Sequence, residues 1–289
     1  MATQTKSFIL TYHSHHVVGP EYGRNDHVAL AVDLRLITEM GLRIVSLDHI
    51  VATVDGARDI EADTDAAIRG YVALTFDDGP VFDLEDFDHP ALGRQRGFVR
   101  IIEDFRATSQ GARQPELCAT SFVIASPEAR RAMEDTFDRQ YTFLTPGSMT
   151  DAWWAPAIAT GLLSIANHSW DHLHPGLPRV AHSRQVRSDF AQVTSVEDAD
   201  LQIAVAAHFI AARTNGCVAP YFAFPFGQYN DFLTGDYLPR RGPAIGLRAA
   251  LTTEARPVVP GDVVWKLPRY SCGQHWASPD DLARILAPA

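Results

Sequence analysis

The sequence is poor in cysteine, poor in cationic charge and lacks long apolar runs, and each shortage excludes something. Three cysteines in 289 residues, Cys118, Cys217 and Cys272, are too few and too scattered for a disulfide framework or a thiolate zinc site. With no Cys-x-x-Cys pair among them, they read as small apolar thiols buried in the core. Lysine and arginine total 25 against 35 aspartates and glutamates, a formal charge of −10. That sign argues against nucleic acid or an anionic membrane as partner, since both are held by clustered cations. The longest uncharged stretch, Ala152 to Trp170, is broken by Pro156, Gly161, Ser164, Asn167 and His168, so it does not read as a bilayer span. At the N-terminus Lys6 is followed only by Phe8-Ile9-Leu10 before Thr11, too short for the apolar core of a secretory signal. The chain as given therefore reads as cytoplasmic, or as secreted or periplasmic if a signal was removed.

What is present is a globular composition, 46% hydrophobic and 21% charged. Short apolar runs alternate with longer helical patterns. Strands are predicted at Phe8–Thr11, Arg43–Leu47, Tyr71–Phe76, Ala119–Ile124, Leu163–Ala166, Tyr221–Phe224, Ala249–Thr252 and Val263–Leu267. Helices are predicted at Val28–Met40, Gly97–Ala107, Pro127–Phe137, Ala152–Thr160, Val196–Arg213 and Pro279–Leu286. Ser126-Pro127 and Ser278-Pro279 are cap-plus-proline starts, Ser195 with Asp198 resembles a capping box, and Asn215-Gly216 is a natural stop. Seven or eight βα units in this length fit one α/β domain over residues 1–289, a distorted (β/α) barrel, with a doubly wound sheet as the competing arrangement. Val81–Arg96 and Gly227–Gly246 read as long loops, and loops at one rim are where barrels build sites.

The chemistry is expected where strands end. The strand Tyr71–Phe76 runs into Asp77-Asp78-Gly79-Pro80. Those are turn residues, but two adjacent carboxylates repel and gain from a cation. A divalent metal on Asp78 would relieve the repulsion and leave Asp77 as a general base. Downstream, Leu162–Ala166 runs into Asn167-His168-Ser169-Trp170-Asp171-His172. The i, i+4 spacing of His168 and His172 places two imidazoles on one face of a helical turn, which suits one zinc-like ion or, equally, surface or capping histidines. Because both clusters follow strands, a barrel would bring them to one rim, where Asp78, His168 and His172 supply three ligands and leave open positions, the pattern of a catalytic site.

Thr75-Phe76-Asp77-Asp78-Gly79-Pro80 with Asn167-His168-Ser169-x-x-His172 resembles the first two motifs of the polysaccharide deacetylase family, the NodB-homology group of carbohydrate esterase family four. The resemblance implies a distorted NodB-like barrel with a divalent metal, Zn²⁺ or alternatively Co²⁺, Ni²⁺ or Fe²⁺, held by Asp78, His168 and His172. It implies Asp77 as catalytic base and a carbohydrate substrate carrying N-acetyl groups. The family's arginine motif is replaced by Phe222-Ala223-Phe224-Pro225-Phe226-Gly227, similar to a branch with an aromatic-Pro-aromatic-Gly version. By that mapping the Phe226 N–H is the oxyanion donor. Arg269, after the predicted strand Val263–Leu267, is the candidate to orient Asp77 in place of the missing arginine. The late Asp-Trp and Leu-x-His motifs are absent. The Tyr12-His13 pair after the first strand is similar to the permuted branch, where it takes the acid role, so His13 is the expected general acid. His15 and His16 are its neighbours and read as a polar loop.

These residues lead to metal-dependent removal of N-acetyl groups from a sugar or polysaccharide, a metal-bound water attacking the amide with Asp77 as base and His13 as acid. A related hydrolase of a small cyclic imide or ureide, and a non-catalytic carbohydrate-binding relative, are the alternatives. Trp153-Trp154, Trp170 and Trp276 read either as a sugar-stacking platform or as packing. His208 reads as a core histidine within an apolar helix.

Overall fold

The structure, a computed structural model, describes residues 6–56, 68–136, 140 and 142–287. Its elements run β1 (Lys6–Tyr12), α1 (Asp26–Glu39), β2 (Arg43–Val45), α2 (Leu47–Val54), β3 (Gly70–Phe76), β4 (Phe87–His89), β5 (Gly93–Gln95), α3 (Phe98–Arg106), β6 (Ala119–Val123), α4 (Pro127–Thr136), α5 (Trp154–Ala159) and β7 (Leu163–Asn167). They continue through α6 (Val196–Ala199), α7 (Val205–Arg213), β8 (Val218–Ala223), α8 (Leu238–Arg241), β9 (Ala249–Leu251), β10 (Tyr270–Ser271) and α9 (Pro279–Leu286). The expected caps form: the hydroxyls of Ser126, Ser195 and Ser278 accept from the N–H of Ala129, Asp198 and Asp281, and Asn215 and Gly216 both take positive φ where α7 stops.

All pairings of the main sheet are parallel, in the order β10-β1-β3-β6-β7-β8-β9, with β2 also on β3. β2 pairs Tyr71 to Ala73 and β6 pairs Leu74 to Phe76, so two short strands share one edge of β3. The two ends of the sheet approach through residues 267–271. Leu267 exchanges backbone hydrogen bonds with β9, and three residues later Tyr270 and Ser271 pair with β1. The result is the distorted barrel that the βα alternation predicts.

The period of two along each strand sorts the side chains. Ile9, Ala73, Phe122, Ala166, Tyr221, Ala223, Leu251 and Leu267 form one buried inner cluster. Their neighbours Phe8, Leu10, Val72, Leu74 and Ile165 face the other way, onto α1, α3 and α9. Continued past the strand ends, the same parity sends His13, Asp77 and His168 to the inner face at the C-terminal rim.

Several expectations need correction. Arg43–Leu47 is a strand only to Val45; Ser46 accepts from the N–H of His49 and starts α2 instead. Val263–Leu267 is not a strand. Val264–Lys266 makes a 3-10 turn and Leu267 contributes a single bridge, because this segment crosses between strands rather than extending one. The segment expected as helix 196–213 is interrupted by a π-helical turn, Asp200–Ala204. Its buried residues include Ala199, Gln202, Ile203, Ala206, Ala207 and Ile210, whereas His208 lies on the exposed face, not in the core. The loop 81–96 carries the β4–β5 hairpin, and 227–246 carries a π turn and α8. The last residue of the expected helix Pro127–Phe137 lies outside the described residues. Of the three cysteines only Cys272 is buried; Cys118 is half-buried and Cys217 exposed. Among the described residues no helix is long and apolar enough to cross a membrane.

Candidate metal centre and active site

The β3 end shows how both carboxylates reach one rim. Strand parity turns Asp77 inward and would turn Asp78 outward. Asp78 and Gly79, however, both sit at φ 72°, which curls the chain back. Gly79 is required there, since a Cβ would meet Val123 Cγ1 at 2.6 Å. The β7 end uses a different device. His168 continues the strand parity, but Ser169, His172 and Leu173 take positive φ, so the histidine segment is a tight loop and not the helical turn that the spacing suggests. Side chains replace the helical ladder: Asn167 Oδ1 accepts from Ser169 N (2.8 Å), Ser169 Oγ from His172 N (3.0 Å) and Asp171 Oδ1 from Leu173 N (2.9 Å).

This loop hangs on the π turn. A π turn leaves carbonyls outside the α-helical ladder. Gln202 O accepts from Trp170 N (2.7 Å), and Ile203 O accepts from Asn167 Nδ2 (2.9 Å). The Gln202 amide donates to Asp171 Oδ1 (2.7 Å) and to Ala181 O (2.9 Å). The predicted site residues thus gain anchors, Asn167, Ser169, Asp171 and Gln202, that the sequence did not single out by role.

Asp78, His168 and His172 converge. One ligand atom from each lies within 4.8 Å of the others, and all three are buried. Asp78 Oδ1 stands 3.6 Å from Nε2 of both imidazoles. His168 Nδ1–H donates to Ala223 O (2.9 Å), which orients the ring so that Nε2 faces Asp78. Burial pushes His172 down to about 3, so its imidazole is neutral and fit to ligate. Asp78 is held well below the usual carboxylate range: burial opposes this, and the His15 hydrogen bond, first among the contributions of the surrounding imidazoles, outweighs it. Two imidazoles and one ionised carboxylate, buried and mutually close, are a donor set that fits a divalent cation.

Asp77 lies beside this set, its Oδ2 4.0 Å from His168 Nε2. Arg269 grips it with two hydrogen bonds, Nη1 to Oδ1 (2.8 Å) and Nη2 to Oδ2 (2.9 Å). The guanidinium is fully buried, and its other donors reach Thr252 O (3.1 Å), Thr75 Oγ1 (3.2 Å) and Thr11 Oγ1 (3.3 Å), with Phe122 packed against its face. Burial alone would raise the Asp77 carboxyl; Arg269 and then His168 pull it below its ordinary value, so it is ionised at neutral pH. The inward parity of Thr11 and Thr75 was the available sign of this cradle.

The remaining expected residues divide. His13 is half-buried at the rim; its N–H donates to Asp26 Oδ2 (2.7 Å), and its ring meets His15 edge-on at 5.5 Å. Burial lowers its pKa, with Asp78 and Asp77 opposing. His16 turns away onto Asp26 Oδ1 at 2.6 Å. His15 was expected in a polar loop, yet it is buried with Nε2 2.8 Å from Asp78 Oδ2. Phe226, at φ 58°, is 46% exposed with its ring edge-on to His172 at 4.3 Å, whereas Phe222 and Phe224 are core. Trp153, Trp154 and Trp276 are buried in the outer core, so they offer no stacking platform; Trp170 is half-buried against Phe209.

No protein-family model matches the sequence, and no curated protein matches it. Solved structures do. The chain is similar to the Streptococcus pyogenes deacetylase PplD in complex with acetate, at 17% identity and a TM-score of 0.60 over 98% of this chain and 99% of that one. It is similar to IcaB from Ammonifex degensii, at 16% identity and 0.59 over 98% and 97%. The BpsB deacetylase domain from Bordetella bronchiseptica matches at 14% identity and 0.55 over 92% and 96%. At these identities the likeness establishes a shared fold, the distorted barrel of polysaccharide deacetylases.

Proposed function

We propose that the protein is a metal-dependent de-N-acetylase of an N-acetylated sugar or polysaccharide. The observation that carries the reading is the convergence of Asp78, His168 and His172 beside an ionised Asp77 that Arg269 holds in place. Deacetylases among the structures of the same fold support it. A divalent cation, when bound by Asp78, His168 and His172, would polarise the amide carbonyl and acidify a water.

The chain's own residues do the rest. Asp77 takes the proton of the attacking water at Oδ2, the oxygen nearer His168. Arg269 keeps that oxygen in place and keeps Asp77 ionised, as a base must be before it acts. The Phe226 N–H, presented by a left-handed backbone at the rim, donates to the developing oxyanion. His13 protonates the departing amine, which leaves poorly otherwise.

The test is acetate release from N-acetylglucosamine oligomers with added Zn²⁺, Co²⁺ or Ni²⁺, beside ring-opening assays on cyclic imides and a sugar-binding measurement. Acetate release supports the reading. Imide hydrolysis alone, or sugar binding without turnover, overturns it.

A further inference from the structure

Asp78 has two oxygens, and the three-ligand cluster engages one of them. Oδ1 faces both imidazoles at 3.6 Å, while Oδ2 lies 2.8 Å from His15 Nε2. An ionised carboxylate only accepts, so His15 Nε2 carries the hydrogen and is not a ligating lone pair. His15 accordingly falls outside the group of mutually close ligand atoms, which is Asp78, His168 and His172.

We propose that His15 is a positioning residue for the metal centre, whose Nε2–H holds Asp78 Oδ2 so that the carboxylate offers Oδ1 alone to the cation. This rests on the reading of Asp78, His168 and His172 as ligands. A ligating carboxylate free to rotate loses orientation, and outer hydrogen bonds of this kind are worth about 10–100-fold in metal affinity. The surroundings of His15 fit a rigid support. The ring is buried, and the His15 carbonyl accepts from Phe143 N (2.6 Å) and Val17 N (3.0 Å). The preceding Ser14 hydroxyl donates to buried Asp83 Oδ1 (2.5 Å), whose Oδ2 accepts from Ser121 Oγ on β6 (2.6 Å). The loop after β1 that carries His15 is thereby fastened to β6, on the far side of β3. The same geometry gives two neighbouring imidazoles different roles. His15 is committed to Asp78, while the His13 ring makes no hydrogen bond among the described residues.

The test is calorimetric titration of the metal-stripped full chain with Zn²⁺, for the wild type and for His15→Ala, His15→Leu and His15→Gln. The Ala and Leu variants should bind about 10–100-fold more weakly, and Gln, which keeps an N–H donor, should recover most of the loss. Should His15→Ala fail to fold, the Leu and Gln pair, which both fill the space, carries the comparison. Wild-type affinity in the Leu variant, or Gln no better than Leu, overturns the role of His15. A wild type that binds no Zn²⁺ overturns the ligand assignment beneath it.

Discussion

Replacing Arg269 with methionine removes the guanidinium that grips Asp77, and the structure sets the size of the effect. Arg269 makes two charged hydrogen bonds to a carboxylate that is 4% exposed, and both groups are shielded from water. Breaking a buried pair from one side leaves an uncompensated charge and costs about 3–5 kcal/mol. The pH dependence follows from the shift. In the wild type the folded Asp77 pKa is depressed, so its contribution is complete above the unfolded value of about 3.9 and is lost as pH falls through the folded value. Without Arg269 burial raises that carboxyl above its unfolded value, so the penalty grows as pH rises past about 3.9 and is relieved by protonation. Urea unfolding should therefore show a larger deficit of Arg269→Met at pH 7.5 than at pH 4.5. Adding Asp77→Asn should recover most of the deficit at pH 7.5, since the neutral pair carries no stranded charge. A deficit below about 1 kcal/mol, or one that Asp77→Asn leaves in place, would show that no charge is stranded there.

Other consequences follow from the same geometry. Asp77→Asn should keep its metal content, measured by elemental analysis, and lose acetate release by at least about 100-fold, because it removes the base and not a ligand; undiminished turnover removes Asp77 from that role. His13→Gln should slow acetamides of ordinary amines by about 10²–10⁴-fold while sparing an activated acetanilide, whose leaving group needs less help from an acid. Equal losses on both substrates would point elsewhere. Gln202→Leu leaves Asp171 and Ala181 without their shared donor. It should weaken Zn²⁺ binding in titration, although Gln202 is not itself a ligand, and unchanged affinity would show that the loop holds its shape alone.

Much of this site was legible because it obeys strand periodicity. β1, β3 and β7 are built around short apolar runs, and the residues just past them, His13, Asp77 and His168, fall on the inner face by parity. What escaped depends on backbone conformations that spacing does not encode. His168 and His172 read as a helical pair but meet through left-handed backbone at Ser169 and at His172 itself. Arg269 does not follow a strand at Val263–Leu267, as its sequence suggests; it reaches Asp77 because the chain crosses there from β9 to β1. His15 looked like loop polarity, since nothing local to Ser14-His15-His16 announces Asp78 as its partner. The π turn was hidden because its sequence is ordinary helix-forming sequence, and its carbonyls acquire a purpose only once β7 is beside them.

Whether Asp78, His168 and His172 share one cation is decided by metal stoichiometry. Inductively coupled plasma mass spectrometry would be run on the purified full chain, reconstituted with Zn²⁺ and dialysed, beside Asp78→Ala and His172→Ala. Near-unit occupancy in the wild type, with next to none in either folded variant, is the expected outcome. Full occupancy in a variant, or a wild type that retains no metal, would mean that these three side chains are not the ligands.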